Sequence, residues 1–222
     1  MFEKPGNQSA LEYGTACVQA KTGSEDCLFL NVYTSSLPKP GDKKELKPVM
    51  LWIHGGGFMI GSTRDPESDP ANLASRGDVV VVQINYRLGT LGFLALQNNI
   101  THGNFGIQDM VLGLQWVQKY ISAFNGDPNR VTIFGQSGGA VAIRALLASP
   151  KAAGLFHGAI LQSPAGGLNP AHRYLDYRSA SEAAMDVGET ILKETGCSNA
   201  TNQLACLRSI DAVVFTNITN LK

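Results

Sequence analysis

The chain has 222 residues, 44% of them hydrophobic and 16% charged, with 18 basic residues balancing 18 acidic ones. A nucleic-acid binder relying on phosphate contacts is normally basic, so a formal charge of zero argues against that class. So apolar a chain is not intrinsically disordered, yet no run of about 18 apolar residues exists to cross a bilayer.

At this length one domain with a sizeable core is expected. Leu28–Tyr33 reads as a strand and Ser35–Pro48 as a Pro- and Lys-rich surface loop. Val49–His54 and Val79–Ile84 lack polar alternation, the pattern of parallel strands covered on both faces. Arg64–Asp69 is a charged run that reads as a solvated loop. A helix from about Gly106 to Ser122 places Met110, Val111, Leu114, Val117 and Ile121 on one face. Asn125–Pro128 reads as a turn, Val131–Phe134 as a short strand and Gly138 to about Ala148 as a small-residue helix. Ala159–Gln162 gives one more strand and Ser179–Glu194 an amphipathic helix. Strands alternating with helices point to an α/β fold around a mostly parallel sheet with helices on both faces.

Of the 4 cysteines, Cys17 and Cys27 lie close in sequence, as do Cys197 and Cys206. The spacing is too wide for a CxxC motif and no histidine is near, so no metal site is expected. Two local disulfides are the simplest pairing, each contributing roughly 2–3 kcal/mol by loop entropy; buried thiols are the alternative. Asn7, Asn99, Asn199 and Asn217 each head an N-x-[ST] sequon. Cysteine pairs and sequons together suggest an extracellular, secreted glycoprotein. Met1–Gly6 has neither a basic nor an apolar region and does not read as a signal peptide, so the native N-terminus is expected to differ.

Gly135-Gln136-Ser137-Gly138-Gly139 fits G-x-S-x-G between a predicted strand and a predicted helix, the context that a nucleophilic serine elbow requires. The crowded turn needs small neighbours, and the helix behind it directs N–H groups at an oxyanion. A Gly-rich turn cradling a phosphate is the alternative. Upstream, His54-Gly55-Gly56-Gly57-Phe58 follows a strand, as in HGGG-type oxyanion loops. Two donors from this loop plus the N–H of Gly138 would stabilise a developing oxyanion, each worth about 3–4 kcal/mol in the transition state. His54 reads as a residue that orients the loop rather than as the base.

These elements, with SEDCLFLNVYT (Ser24–Thr34), WIHGGGF (Trp52–Phe58), NYRLGTLGFL (Asn85–Leu94), Gly103–Pro128, VTIFGQSGGA (Val131–Ala140) and GLFHGAILQSP (Gly154–Pro164), resemble the type B carboxylesterases, the cholinesterase- and lipase-like branch of the α/β-hydrolases. The resemblance runs from about Cys17 to Cys206. It implies an α/β-hydrolase fold and cleavage of carboxylic esters, small-molecule or lipid, through an acyl-enzyme without metal or organic cofactor. It also implies Ser137 as nucleophile, Gly56, Gly57 and Gly138 as oxyanion-hole donors, and the disulfides Cys17–Cys27 and Cys197–Cys206. The chain departs from the family pattern at Gln136, usually Glu, and at Gly138, usually Ala. The missing acid puts a preference for cationic substrates in doubt.

The family's catalytic domain is more than twice as long, with the triad acid and histidine far downstream of the serine. Only His157 and His172 follow Ser137 here, and neither sits in a family context for the base. The chain therefore reads as the N-terminal part of an α/β-hydrolase domain, truncated after the elbow half and inactive alone. Its last strand is expected to expose an apolar edge. A half-length, non-catalytic binding module is the competing reading, and a hydrolase assembled from two chains a third. Phe58, Phe105 and Leu168 are candidates for the pocket wall. The oligomeric state is not legible.

Overall fold

Val80–Ile84 (β3) has every residue buried, as a strand covered on both faces must. It lies between β1 (Leu30–Tyr33), paired antiparallel, and β2 (Lys47–Ile53), paired parallel. Beyond β2 follow β4 (Gly126–Gln136) and β5 (Gly158–Gln162), both parallel, giving the order β1-β3-β2-β4-β5. The computed structural model from which this is drawn describes residues 10, 12–38, 41, 45–66, 69–96, 101–164 and 180–218.

Register aligns the apolar positions into rows. Val82, Leu51, Ile133 and Ala159 lie side by side, as do Ile84, Ile53, Gly135 and Leu161. This face is the core. Helix α3 (Phe105–Tyr120) covers it with Met110, Leu114 and Val117, and α4 (Gly138–Ala148) with Ala142, Ile143 and Leu146. The other face carries the row Gln83, Trp52, Phe134 and Ile160. It is less covered towards β5, where Ile160 is 43% exposed at the outer strand. Among the described residues β5 is the outermost strand on that side of the sheet. β2 is correspondingly only half-buried: Val49, Leu51 and Ile53 are shut in, while Met50 and Trp52 are not.

Two short helices went unread in the sequence. α1 (Ala71–Arg76) packs on β3, burying Ala74, and α2 (Gly89–Phe93) lies against α3. The predicted turn at Asn125–Pro128 is resolved differently. Asn125 alone turns the chain, with φ 69°, and Gly126 already pairs with Lys47. The register then slips over Asp127–Arg130 before Val131 meets Val49, so the bulge accommodates Pro128, which has no N–H to donate. Lys47 and Pro48 accordingly belong to β2 and not to the loop before it.

The predicted helix Ser179–Glu194 is interrupted. α5 (Ala180–Ala183) runs into a wide π-type turn, Ala184–Gly188, before α6 (Glu189–Glu194); Ser179 lies outside the described residues. Gly188 abuts the Ala95 carbonyl, where a β-carbon would come within 2.7 Å. A wide turn here serves packing, because Val187, Ile191 and Leu192 all reach a second apolar cluster. That cluster includes Leu207 of α7 (Gln203–Arg208), Phe215 of α8 (Ala212–Ile218), Leu91 of α2 and Leu94 just after it. The Cys197–Cys206 disulfide lies within it, and Cys17–Cys27 borders the main core. Among the described residues no helix is long and apolar enough to cross a membrane.

Candidate active site

Ser137 joins β4 to α4 with φ 53° and ψ −119°, a backbone conformation that side chains other than glycine rarely adopt. The strain is held from both sides. The Ser137 amide donates to Gln162 O on β5 (2.9 Å), and Ser137 O accepts from Val141 N in α4 (3.0 Å). Gly135 and Gly139 are required by sterics: a β-carbon on Gly135 would come within 2.7 Å of Ile53 O, and one on Gly139 within 2.8 Å of His54 O. The end of β2 can approach the elbow only because these side chains are missing.

That approach brings the glycine loop over the serine. Gly56 (φ 95°), Gly57 (φ 59°) and Phe58 (φ 63°) form a tight left-handed turn, in which Gly56 O accepts from Met59 N and Ile60 N. A β-carbon on Gly55 would be 3.3 Å from Ser137 Cβ, and one on Gly138 would be 3.1 Å from Gly57 N and 3.3 Å from Phe58 N. The loop amides and the first turn of α4 therefore face each other beside the serine. Ser137 is half-buried, and Gln136 beside it is exposed and uncharged.

His54 is 3% exposed and its ring stacks on Tyr86, with centroids 4.3 Å apart. Nδ1 lies 2.9 Å from Gly55 O, and because a carbonyl only accepts, the proton sits on Nδ1. Nε2 has no hydrogen-bond partner among the described residues. Burial lowers the imidazole pKa below its usual 6.5, keeping it neutral. Tyr86 donates its hydroxyl to His54 O (2.9 Å), and burial raises its own pKa. His54 is thus bonded to the first glycine of the loop and stacked on Tyr86.

His157 lies beside Val131, midway along β4. Its amide donates to Val131 O and its Nδ1 accepts from Val131 N, so roughly 20 Å of strand separates it from the serine. His102 is exposed beside its bridge to Ala95. No hydrogen bond joins a described histidine to Ser137; His172 and Leu168 lie outside the described residues. Of the expected pocket wall, Phe58 turns its ring onto Tyr86 and Phe93, and Phe105 lies under the Arg87 guanidinium. No group of three or more His, Cys, Asp or Glu among the described residues could hold a metal ion.

Three supports were not singled out in the sequence. Asp109 accepts from Arg87 N, Nε and Nη2, and this bonding raises the Arg87 pKa further. An acid at a core-facing helical spacing was the available signal. Asn85 receives Thr63 N on its Oδ1 and donates Nδ2 to Thr15 O and Cys27 O. Gln19, inside the first disulfide loop, is bonded to Gly61. Nothing in single-sequence patterning distinguishes those amides.

Of the sequons, Asn199 is exposed in the turn after Cys197, and Asn217 falls in α8 with its side chain undescribed. Asn7 and Asn99 lie outside the described residues.

Similarity to known proteins agrees with this architecture. The sequence profile of the Carboxylesterase family matches residues 3–221. Para-nitrobenzyl esterase of Bacillus subtilis is 45% identical over 169 residues, covering 70% of this chain and 34% of that protein. Carboxylesterase 3B of Mus musculus is 51% identical over 140 residues, 63% of this chain and 24% of that protein. A solved PNB esterase superposes with a TM-score of 0.80 at 37% identity, covering 95% of this chain and 42% of its own. A Geobacillus stearothermophilus carboxylesterase gives 0.81 at 38% identity, with 94% and 42% covered. The chain spans about a third of the curated relatives' length, and its mostly parallel sheet with flanking helices is their α/β-hydrolase fold. The chain belongs to the Carboxylesterase family.

Proposed function

We propose that this chain is the N-terminal part of a serine hydrolase that cleaves carboxylic esters through an acyl-enzyme on Ser137. The observation that carries the reading is the strained Ser137 elbow lying against the glycine loop. The Ser137 hydroxyl attacks the ester carbonyl, and the amides of Gly56, Gly57 and Gly138 receive the oxyanion, aided by the positive end of α4. Collapse of the tetrahedral intermediate expels the alcohol and leaves the acyl group on Ser137 Oγ. Water then repeats the attack and releases the acid. No metal or organic cofactor takes part.

The general base and its acid come from sequence beyond this chain, in keeping with its partial coverage of relatives. Alone, residues 1–222 lack an activated nucleophile and are inactive. The neutral Gln136 beside the serine favours uncharged small-molecule or lipid esters over cationic ones. Paired cysteines and exposed Asn199 support a secreted glycoprotein. The test is hydrolysis of p-nitrophenyl acetate by the full-length protein: Ser137→Ala abolishes it if the reading holds, and retained turnover removes Ser137 from the mechanism. The competing reading is a binding module on the same scaffold. Turnover by the full-length protein that Ser137→Ala abolishes excludes it.

A further inference from the structure

The glycine loop is held at its far end by a residue of the first disulfide loop. Gln19 Nε2 donates to Gly61 O (2.9 Å) while Gly61 N donates to Gln19 Oε1 (2.8 Å). Nε2 also donates to Cys17 O (3.0 Å), tying the carboxamide to its own disulfide. Gly61 in turn packs on the start of the glycine loop. At φ 115° its backbone lies so close that a β-carbon would reach Gly55 O at 2.9 Å and collide with the His54 ring. Two residues on, Thr63 N is held by Asn85, which also grips Thr15 O and Cys27 O. The disulfide loop thus brackets the return of the glycine loop.

We infer that Gln19 is a positioning residue for the oxyanion hole, acting through Gly61, with the Cys17–Cys27 disulfide fixing Gln19 in turn. The inference rests on the reading that Gly56 and Gly57 bind the oxyanion. A primary carboxamide is suited to the task because it presents a donor and an acceptor side by side, one for the C=O and one for the N–H of the same residue. The turn it closes combines two freely rotating glycines with Phe58 at φ 63°, so its shape is not fixed by local preference and gains from support outside it. Preorganised donors act on the transition state and little on the bound ester, so loosening them should lower kcat and spare KM.

The experiment uses the full-length enzyme with p-nitrophenyl acetate as substrate and an aryl trifluoromethyl ketone, whose hemiketal oxyanion occupies the same hole. Gln19→Leu should lower kcat by about tenfold or more with KM within about twofold, and weaken the ketone by the same factor as kcat. Gln19→Glu should behave like Gln19→Leu at about pH 8. It should recover relative to wild type only as the pH falls through the carboxyl's own range, about 4–4.5, because a protonated carboxyl can again donate to Gly61 O. A role confined to folding would lower the thermal midpoint and leave kcat and the ketone unmoved in the folded variant. That result, or a Gln19→Glu pH profile parallel to wild type, overturns the inference. If Gln19→Leu does not fold, the Gln19→Glu profile decides alone. Retained turnover in Ser137→Ala overturns the underlying mechanism instead, so the two failures are distinct.

Discussion

Gly139, in the first turn of α4, packs directly against the carbonyl oxygen of Ile53 at the end of β2, leaving no room for a β-carbon. Gly138 beside it has its nearest neighbour, Gly57 N, 3.1 Å from where a β-carbon would sit. Gly139→Ala should therefore drive β2 away from the elbow and cost about 3 kcal/mol or more, with loss of esterase activity. Gly138→Ala asks the loop to yield only a few tenths of an ångström and should keep activity within about tenfold. Thermal melts and kcat of the two full-length variants check the contrast.

Asp109 is 5% exposed and its partner Arg87 37% exposed. Arg87→Met leaves a buried carboxylate unpaired and should destabilise by about 3 kcal/mol, at the lower end for such pairs because the guanidinium is partly in water. The thermal midpoint should fall by roughly 6–12 °C. Adding Asp109→Leu should restore part of that loss, and a double variant no better than the single would place the cost elsewhere.

His54 makes stability depend on pH in a defined direction. Its folded pKa is depressed by burial, so above the unfolded value of 6.5 both states are neutral and nothing is lost. Below 6.5 the unfolded chain takes up the proton first, and the native state loses up to about 1.4 kcal/mol per pH unit until the folded pKa is reached. Melting temperature should thus fall as the pH drops below about 6.5, and His54→Gln should flatten that limb. An unchanged slope in the variant would assign the acid sensitivity to other groups.

The row Trp52, Phe134 and Ile160 is half-buried over its first two residues and exposed at Ile160 on β5, the outer strand among the described residues. Residues 1–222 expressed alone should self-associate, and Ile160→Lys should reduce this by placing a charge on the edge. Sedimentation velocity measures it; a monomeric, cooperatively folding wild-type chain would contradict the account.

Much of this was legible because it depends on local pattern. β3 and α4 could be read from buried runs and small residues at the elbow, and the G-x-S-x-G and HGGG motifs marked the places where backbone approach excludes side chains. What escaped depends on contacts distant in sequence. Gly188 needs a wide turn only because Ala95 O lies against it, and Pro128 enters β4 only because the register slips opposite Lys47. Gln19 and Asn85 are ordinary amides until Gly61 and Thr63 are brought to them. The ring of Phe58 faced inward because Tyr86 and Phe93 were there to receive it.

In the proposed mechanism Ser137 carries the covalent intermediate. Full-length protein treated with a p-nitrophenyl phosphonate should lose esterase activity in step with release of p-nitrophenol, and peptide mapping by mass spectrometry should find the phosphonyl group on Ser137. Inactivation with Ser137 unlabelled, or full activity with Ser137 labelled, would contradict it.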